Sequence, residues 1–311
     1  VVVVVYMGGS WVLGRLPFGP TVAVGSLISD AVWWAWPEKR RHVRANGARI
    51  LGLPPDDPRV AALSRAVFRS QMRWLVEGMH LARMPAEERV ARFDGPIGDA
   101  VHAAWKASDG LILAGLHIGN GEAAAAALAG RGWPVHLLAD DTAYDGLFER
   151  MAERRRAWGV EVIRWRSLRD AYRVLRRREI LGLLVDWGYR PDGQPVRLMG
   201  TWTTLPAGPA VLAARTGATI LPFWTRRRPD GTYTGEAGPP ITVTSSEPAE
   251  IARATQAIAD ALEPAIRAAP DQWCVFKAMW PEDPDEERSL AERARAQVRV
   301  PGAAEAGEGS A

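Results

Sequence analysis

The sequence predicts an α/β fold: a mostly parallel central sheet flanked by helices on both faces. Two observations carry this. From Gly110 onward, short apolar runs (LILAGLH, VHLLAD, VEVIRW, ILGLLVDW, ATILPFW) alternate with segments of helical character, the pattern of repeated strand–helix–strand units. The runs are apolar nearly throughout instead of alternating with polar residues, as strands covered on both faces are. With 311 residues and 47% apolar content, the chain can bury a full core as one large domain.

The elements follow in order. Residues 1–53 read as one or two helices ending near Gly52, with Pro54 and Pro55 as breakers. Residues 58–93 are helical again through the spacing of Val67, Phe68, Met72, Leu75, Met79 and Leu81, and Pro85 with Glu87 and Glu88 opens a further short helix. Leu111–Leu116 has the length of a buried strand, and the alanine-rich run from Glu122 to Leu128 is a helix closed by Gly130. Strands from Val135, Val160 and Ile180 alternate with helices from about Tyr144 to Trp158 and Leu168 to Arg178. After a polar loop come a helix over Ala207–Thr216, a strand from Ala218 and the segment YTGEAGPPITV. An amphipathic helix from about Pro248 to Ala268 and a strand around Cys274–Phe276 complete the domain. The stretch from Pro281, beginning PEDPDEER, has too little apolar surface to order itself fully, and its last ten or so residues are expected to be mobile. The resulting organisation is 1–53, N-terminal amphipathic helices; 54–281, the α/β domain continuous with them; and 282–311, a C-terminal helix and tail.

Composition narrows the partners. The single cysteine, Cys274, excludes an intramolecular disulfide and a multi-cysteine metal site, as in a reducing compartment, and reads as a buried structural thiol. No metal site and no nucleic-acid partner are expected. Net charge is only +3, but arginine dominates the cations, so local basic faces able to hold phosphates or anionic lipid are expected. Fourteen tryptophans stand against six phenylalanines and five tyrosines, and Trp11, Trp33, Trp34 and Trp36 crowd the N-terminal stretch. Tryptophan favours membrane interfaces. Thr21–Trp36 is short of the roughly 20 apolar residues a span needs and contains Asp30. Lys39, Arg40, Arg41, Arg44 and Arg49 follow at once, so the pattern predicts a membrane-surface anchor with a basic flank; ordinary core helices are the alternative. No charged region precedes the first apolar run as in a cleavable signal.

The chemistry concentrates at the turn after the first buried strand, where His117, Gly119, Asn120, Gly121 and Glu122 fall within six residues. Such turns lie at the carboxyl ends of parallel strands, where ligands bind. His117 at the strand end and Glu122 in the first helical turn, behind Asn120 as N-cap, form an HxxxxE spacing whose glycines let both side chains face one cavity. Glu122 is equally placed to serve the helix dipole. The same atoms support a rival: Gly119, Gly121 and Ala124 satisfy GxGxxA, and Asp140 and Asp141 end the next strand, the fingerprint of a dinucleotide-binding oxidoreductase. A histidine before the phosphate turn is foreign to that fingerprint.

From about residue 38 to 281, the chain resembles the bacterial lysophospholipid acyltransferase-like family of lipid A lauroyl and myristoyl acyltransferases and phosphatidylinositol mannoside acyltransferases. KRRHVRANGARILG is similar to that family's arginine-rich helix, and GLHIGNGEAAAAA to its HxGNWE block, with Gly121 in place of the usual tryptophan. RRAWG at 155–159 resembles the block whose arginine, here Arg155, contributes to the site. LLVDWGYRPDGQPVRLMGTWTTLPAGPAVLAARTGATILPFW resembles the block carrying an acidic residue, here Asp186, and PDQWCVFKAMWP the terminal block, with Lys277 where arginines and histidines are usual.

The resemblance implies acyl transfer from an acyl thioester, acyl-CoA or acyl carrier protein, to a hydroxyl of a lipid or glycolipid, without a cofactor, at the cytoplasmic face of the plasma membrane. Such chemistry needs a base for the acceptor proton and a stabiliser for the oxyanion. His117 is the candidate base, and Glu122 and Asp186 compete to orient it. Gly119, Asn120 and Gly121 backbone N–H groups or Arg155 are the candidates for holding the oxyanion or a substrate phosphate. No GxSxG elbow is present, and Cys274 has no histidine nearby in sequence, so direct attack is expected instead of an acyl-enzyme. Arg226, Arg227 and Arg228 read as a solvated hairpin end, or as contacts to a phosphopantetheine phosphate or anionic lipid. A membrane-bound scaffold with a dead site remains the third reading.

Overall fold

A computed structural model describes residues 15–140 and 147–298. Helices α1 (Phe18–Ala35), α2 (Pro37–Leu51) and α3 (Pro58–Leu81) come first, each with a proline at or beside its start where the missing N–H costs nothing. Asp57 caps α3 by accepting from the Arg59 N–H at 2.8 Å, and Gly52, at φ 63°, closes α2 in the left-handed conformation that glycine tolerates. The three helices pack through Val43, Val67 and Phe68, with Trp33 donating to the Ser64 hydroxyl. Along α1 the buried row is Thr21, Gly25 and Ser29, while Val24, Leu27, Ile28 and Trp34 stand exposed. The portion of the expected anchor in residues 1–14, Trp11 included, lies outside the described residues, as do residues 141–146 and the end of the tail from 299.

The α/β part runs α4 (Ala86–Ala91), β1 (Phe93–Asp94), α5 (Ile97–Lys106), β2 (Leu111–Gly115), α6 (Gly121–Gly130), β3 (Val135–Ala139), α7 (Leu147–Arg156), β4 (Val160–Arg164), α8 (Leu168–Arg176) and β5 (Ile180–Leu184). It continues with β6 (Gln194–Leu198), β7 (Thr201–Leu205), α9 (Gly208–Thr216), β8 (Thr219–Arg227), β9 (Tyr233–Ala237), α10 (Pro248–Ala268) and α11 (Pro284–Val298). Seven strands form one sheet in the order β1-β9-β8-β2-β5-β3-β4. The run β8-β2-β5-β3-β4 is parallel, and β9 turns back antiparallel to β8 with β1 parallel to β9 at the edge. The sheet is therefore mostly parallel, as its apolar runs predict.

Central strand β2 shows why those runs are unbroken. Leu111 and Leu113 point into one core, with the alanines of α6 and with Phe93, Ile97 and Val101; Ile112 and Ala114 point into the other, with α8, α9 and α10. A strand buried on both faces has no polar side to show.

Two expectations are corrected. The polar loop after β5 contains a hairpin: β6 and β7 pair antiparallel around Met199 and Gly200, both at positive φ (53° and 79°), the requirement of a tight two-residue turn. Cys274–Phe276 forms no strand; only Trp273 makes an antiparallel bridge, to Ile118. After Pro281, α11 docks through the buried Leu290 and through Arg293, which donates to the Pro191 and Gly193 carbonyls. Among the described residues, no helix is long and apolar enough to cross a membrane.

Candidate active site

The turn after β2 is built by distant parts of the chain. Gly119 sits at φ 63°, and a Cβ there would lie 2.3 Å from the Thr225 carbonyl oxygen, so only glycine fits. The Thr225 hydroxyl accepts from the Asn120 N–H and donates to the Ile118 carbonyl, both at 2.8 Å, tying the turn to β8. On the other side the Gly119 N–H donates to the Gln272 carbonyl at 3.3 Å, and the Cys274 N–H donates to the His117 carbonyl at 2.7 Å. Asn120 is the N-cap of α6: its side-chain oxygen accepts from the Ala123 N–H at 3.1 Å.

His117 projects from this scaffold with 33% of its side chain exposed. Its Nδ1 lies 2.7 Å from Asp186 Oδ1, and its backbone N–H donates to Asp186 Oδ2 at 2.8 Å. The Trp273 indole N–H donates to that same Oδ2, also at 2.8 Å. Asp186 is buried and, as an ionised carboxylate, can only accept; Nδ1 therefore carries the proton and Nε2 the lone pair. Burial works against the imidazolium, but the Asp186 charge and hydrogen bond outweigh it, and the His117 pKa rises above the ordinary histidine value despite the opposing charge of Lys277. Beside His117 stands the half-exposed Trp187 ring, centroids 6.0 Å apart, with the Lys277 ammonium 4.2 Å from the Trp187 centroid.

Glu122 is paired elsewhere. Arg155, from α7, holds it in a fork: Nε at 3.2 and 3.1 Å from the two carboxylate oxygens, and Nη2 against Oε1. Burial would raise the Glu122 pKa, but the Arg155 charge and hydrogen bonds overcome this and hold it below the usual carboxylate range. The two acidic candidates thus have separate partners: Asp186 meets His117, and Glu122 meets Arg155.

The structure gives two of the expected substrate-binding positions structural roles. Asn120 is fully buried, and the N–H groups of Gly119 and Asn120 are spent on Gln272 and Thr225. Gly121 differs: a Cβ there meets nothing within 4 Å, so this position opens space at the start of α6.

A second cluster was invisible in sequence. Glu77, 2% exposed, accepts from Asn120 Nδ2 at 2.9 Å, from Arg227 Nε and Nη2 at 2.5 and 3.0 Å, and from Arg73 Nε at 3.0 Å. Arg227 is thus buried in an ion pair and not at a solvated hairpin end; its neighbours, the exposed Arg226 and the partly buried Arg228, are paired with Glu236 and Asp94. The clues were a glutamate in a helical run and an arginine in a strand, too common to single out.

Two further readings lose support. In the dinucleotide fingerprint, the acidic residue ends the strand adjacent to the glycine turn. Here β5 separates β2 from β3, so Asp140 lies two strands away, and Asp141 is outside the described residues. Burial pushes the Cys274 thiol up to about 12, which leaves it protonated and poorly nucleophilic. Among the described residues, no group of three or more His, Cys, Asp or Glu side chains could hold a metal ion.

Comparison with known proteins agrees with this architecture. Residues 1–282 match the family described as bacterial lipid A biosynthesis acyltransferase. The chain is 32% identical over 269 residues to a phosphatidylinositol mannoside acyltransferase of Mycobacterium tuberculosis (strain CDC 1551 / Oshkosh), covering 83% of this chain and 80% of that protein. It is 30% identical over 251 residues to the phosphatidylinositol mannoside acyltransferase of Mycolicibacterium smegmatis, covering 79% and 81%.

Proposed function

The chain belongs to the bacterial lipid A biosynthesis acyltransferase family, and from that premise we propose that it moves a fatty acyl chain from acyl-CoA or acyl carrier protein to a hydroxyl of a membrane glycolipid by direct, His117-assisted attack. The observation that carries the reading is the His117–Asp186 pair. A carboxylate held by three donors fixes the imidazole tautomer, so Nε2 faces the substrate as a base.

In the proposed step, Nε2 takes the proton of the acceptor hydroxyl as its oxygen attacks the thioester carbonyl. The tetrahedral oxyanion collapses, the C–S bond breaks, and the thiolate leaves with the proton returned from the imidazolium. Asp186 stabilises the transient imidazolium without accepting the proton. The oxyanion donor is assigned to the Gly121 N–H at the amino end of α6, where the helix dipole favours negative charge, since Gly119 and Asn120 have spent theirs. Arg155, already forked onto Glu122, shapes the wall beside it and is available to a substrate phosphate only in exchange.

The acceptor class follows from the relatives, both phosphatidylinositol mannoside acyltransferases by name. The open space at Gly121 admits a bulkier group than the tryptophan usual there would. Reaction at the anionic cytoplasmic surface of the plasma membrane is supported by the exposed apolar side of α1 and the basic residues of α2. The test is release of free thiol from a long-chain acyl-CoA with mannosylated phosphoinositide supplied, with mass spectrometry of the lipid product. A product heavier by one acyl chain supports the reading. Lipid binding with no transfer from either donor would leave a scaffold.

A further inference from the structure

A cavity of about 540 Å3 lies between α1, α3 and the end of β8, and none of His117, Glu122, Arg155 or Asp186 lines it. Arg65, Arg69 and Arg73 enter it from α3 at four-residue spacing, hence along one helix face, and Arg227 and Arg228 enter from the sheet. The carboxylates nearby do not neutralise this set. Arg69 is matched by Asp30 and Arg228 by Asp94, but Arg73 and Arg227 share the single carboxylate of Glu77. Arg65 stacks its guanidinium 4.7 Å over Trp33 and has no carboxylate at ion-pair distance among the described residues. Asp271 is the one acidic group of the lining and suits a hydroxyl donor.

The location adds a second constraint. Val22 and Ser26 of α1 line the cavity. On the helical wheel, their row lies between the buried row of Thr21, Gly25 and Ser29 and the exposed Val24, Leu27, Ile28 and Trp34. The arginine-lined mouth therefore borders an exposed apolar surface.

We propose that this cavity binds the phosphate headgroup of an anionic membrane phospholipid, distinct from the substrates at His117, with the lipid's acyl chains lying along the apolar side of α1. Planar guanidinium forks suit phosphate oxygens, Asp271 suits a headgroup hydroxyl, and the apolar border selects a lipid over a free phosphate. The site stands or falls independently of acyl transfer, since binding alone reads it.

The experiment is sedimentation of the full chain with phosphatidylcholine vesicles with and without phosphatidylglycerol. Three variants are compared with wild type: R65Q/R69Q; S70E, which adds a carboxylate to the lining while leaving the arginines in place; and R176Q/R177Q, which removes equal charge from exposed positions at the end of α8. R65Q/R69Q and S70E are expected to weaken binding to phosphatidylglycerol vesicles about tenfold or more, at roughly 1 kcal/mol per arginine near an anionic surface, with R176Q/R177Q close to wild type. Equal loss in R65Q/R69Q and R176Q/R177Q would reduce the effect to net charge and overturn the site. Calorimetric binding of inorganic phosphate lost in R65Q/R69Q, with vesicle binding intact, would identify a soluble phosphate site and overturn the lipid assignment.

Discussion

His117–Asp186 and Glu122–Arg155 start five residues apart on one turn, yet they are opposite kinds of pair. In the first, the buried carboxylate takes every donor offered to it while the imidazole keeps a third of its side chain in the open. In the second, acid and base are both largely covered, and each uses up the other in a fork. A pair suited to proton transfer leaves one member unsatisfied toward the substrate; a pair suited to holding a wall satisfies both. Proximity to the reacting residue in sequence does not distinguish them.

That contrast is tested most strongly at His117. The His117→Ala variant should lose roughly two to four orders of magnitude in turnover per folded molecule while still folding; retained turnover on an identified acceptor would break the proposed mechanism. Asp186→Asn should come next and should act on pH as well as rate. The His117 pKa is raised in the fold, so base-dependent activity should climb with pH through a value above about 6.5, and loss of the carboxylate should move that limb to lower pH. The sign for stability is reversed: the raised pKa stabilises the fold fully below the unfolded histidine value, and this fades as pH rises through the folded one. Measured pH profiles of kcat/KM and melting temperature check both.

Glu122→Gln should sharpen the distinction from the other side. It removes the charge that the Arg155 fork grips in a covered site, at a cost of about 3 kcal/mol in urea unfolding, while turnover per folded molecule falls less than in Asp186→Asn. The reverse ranking would make Glu122 the partner of the base. The smallest effect is expected at Gly121→Ala. Its Cβ enters open space at the start of a helix, so stability should be unchanged or gain up to about 1 kcal/mol, and changes in preference among acceptors would map that space onto the substrate.

The fold was legible where a single period dominates. Unbroken apolar runs marked the parallel strands, and the Pro248–Ala268 helix is found with the expected bounds. The β6–β7 hairpin escaped because its turn is Met199–Gly200, without the asparagine or aspartate that signals such turns, and because Arg197 and the threonines made it look like loop. At the site, the local block from His117 to Glu122 could be read directly, and the family resemblance supplied Asp186 and Arg155. Which acid meets which base could not, since it depends on β5 lying beside β2 and on the reach of α7. Glu77 and Thr225 had no local signal at all, being recognised only through partners brought together by the sheet, and the terminal block that holds Trp273 gave no hint that its indole meets Asp186.

The anchoring of the turn at residues 117–120 also bears on the order in which the molecule is made. Its hydrogen bonds reach back to Glu77 and forward to Asp186, Thr225, Gln272 and Cys274, and the Trp273 indole in turn holds Asp186. Contacts of such long sequence separation form late, because the intervening chain must first be closed into a loop. A ribosome that has released only the N-terminal half has therefore produced His117 without the carboxylate that fixes its tautomer and without the indole that holds that carboxylate. The His117–Asp186–Trp273 arrangement can form only after Trp273 has emerged, so the nascent chain completes its N-terminal helices long before it can complete this cluster.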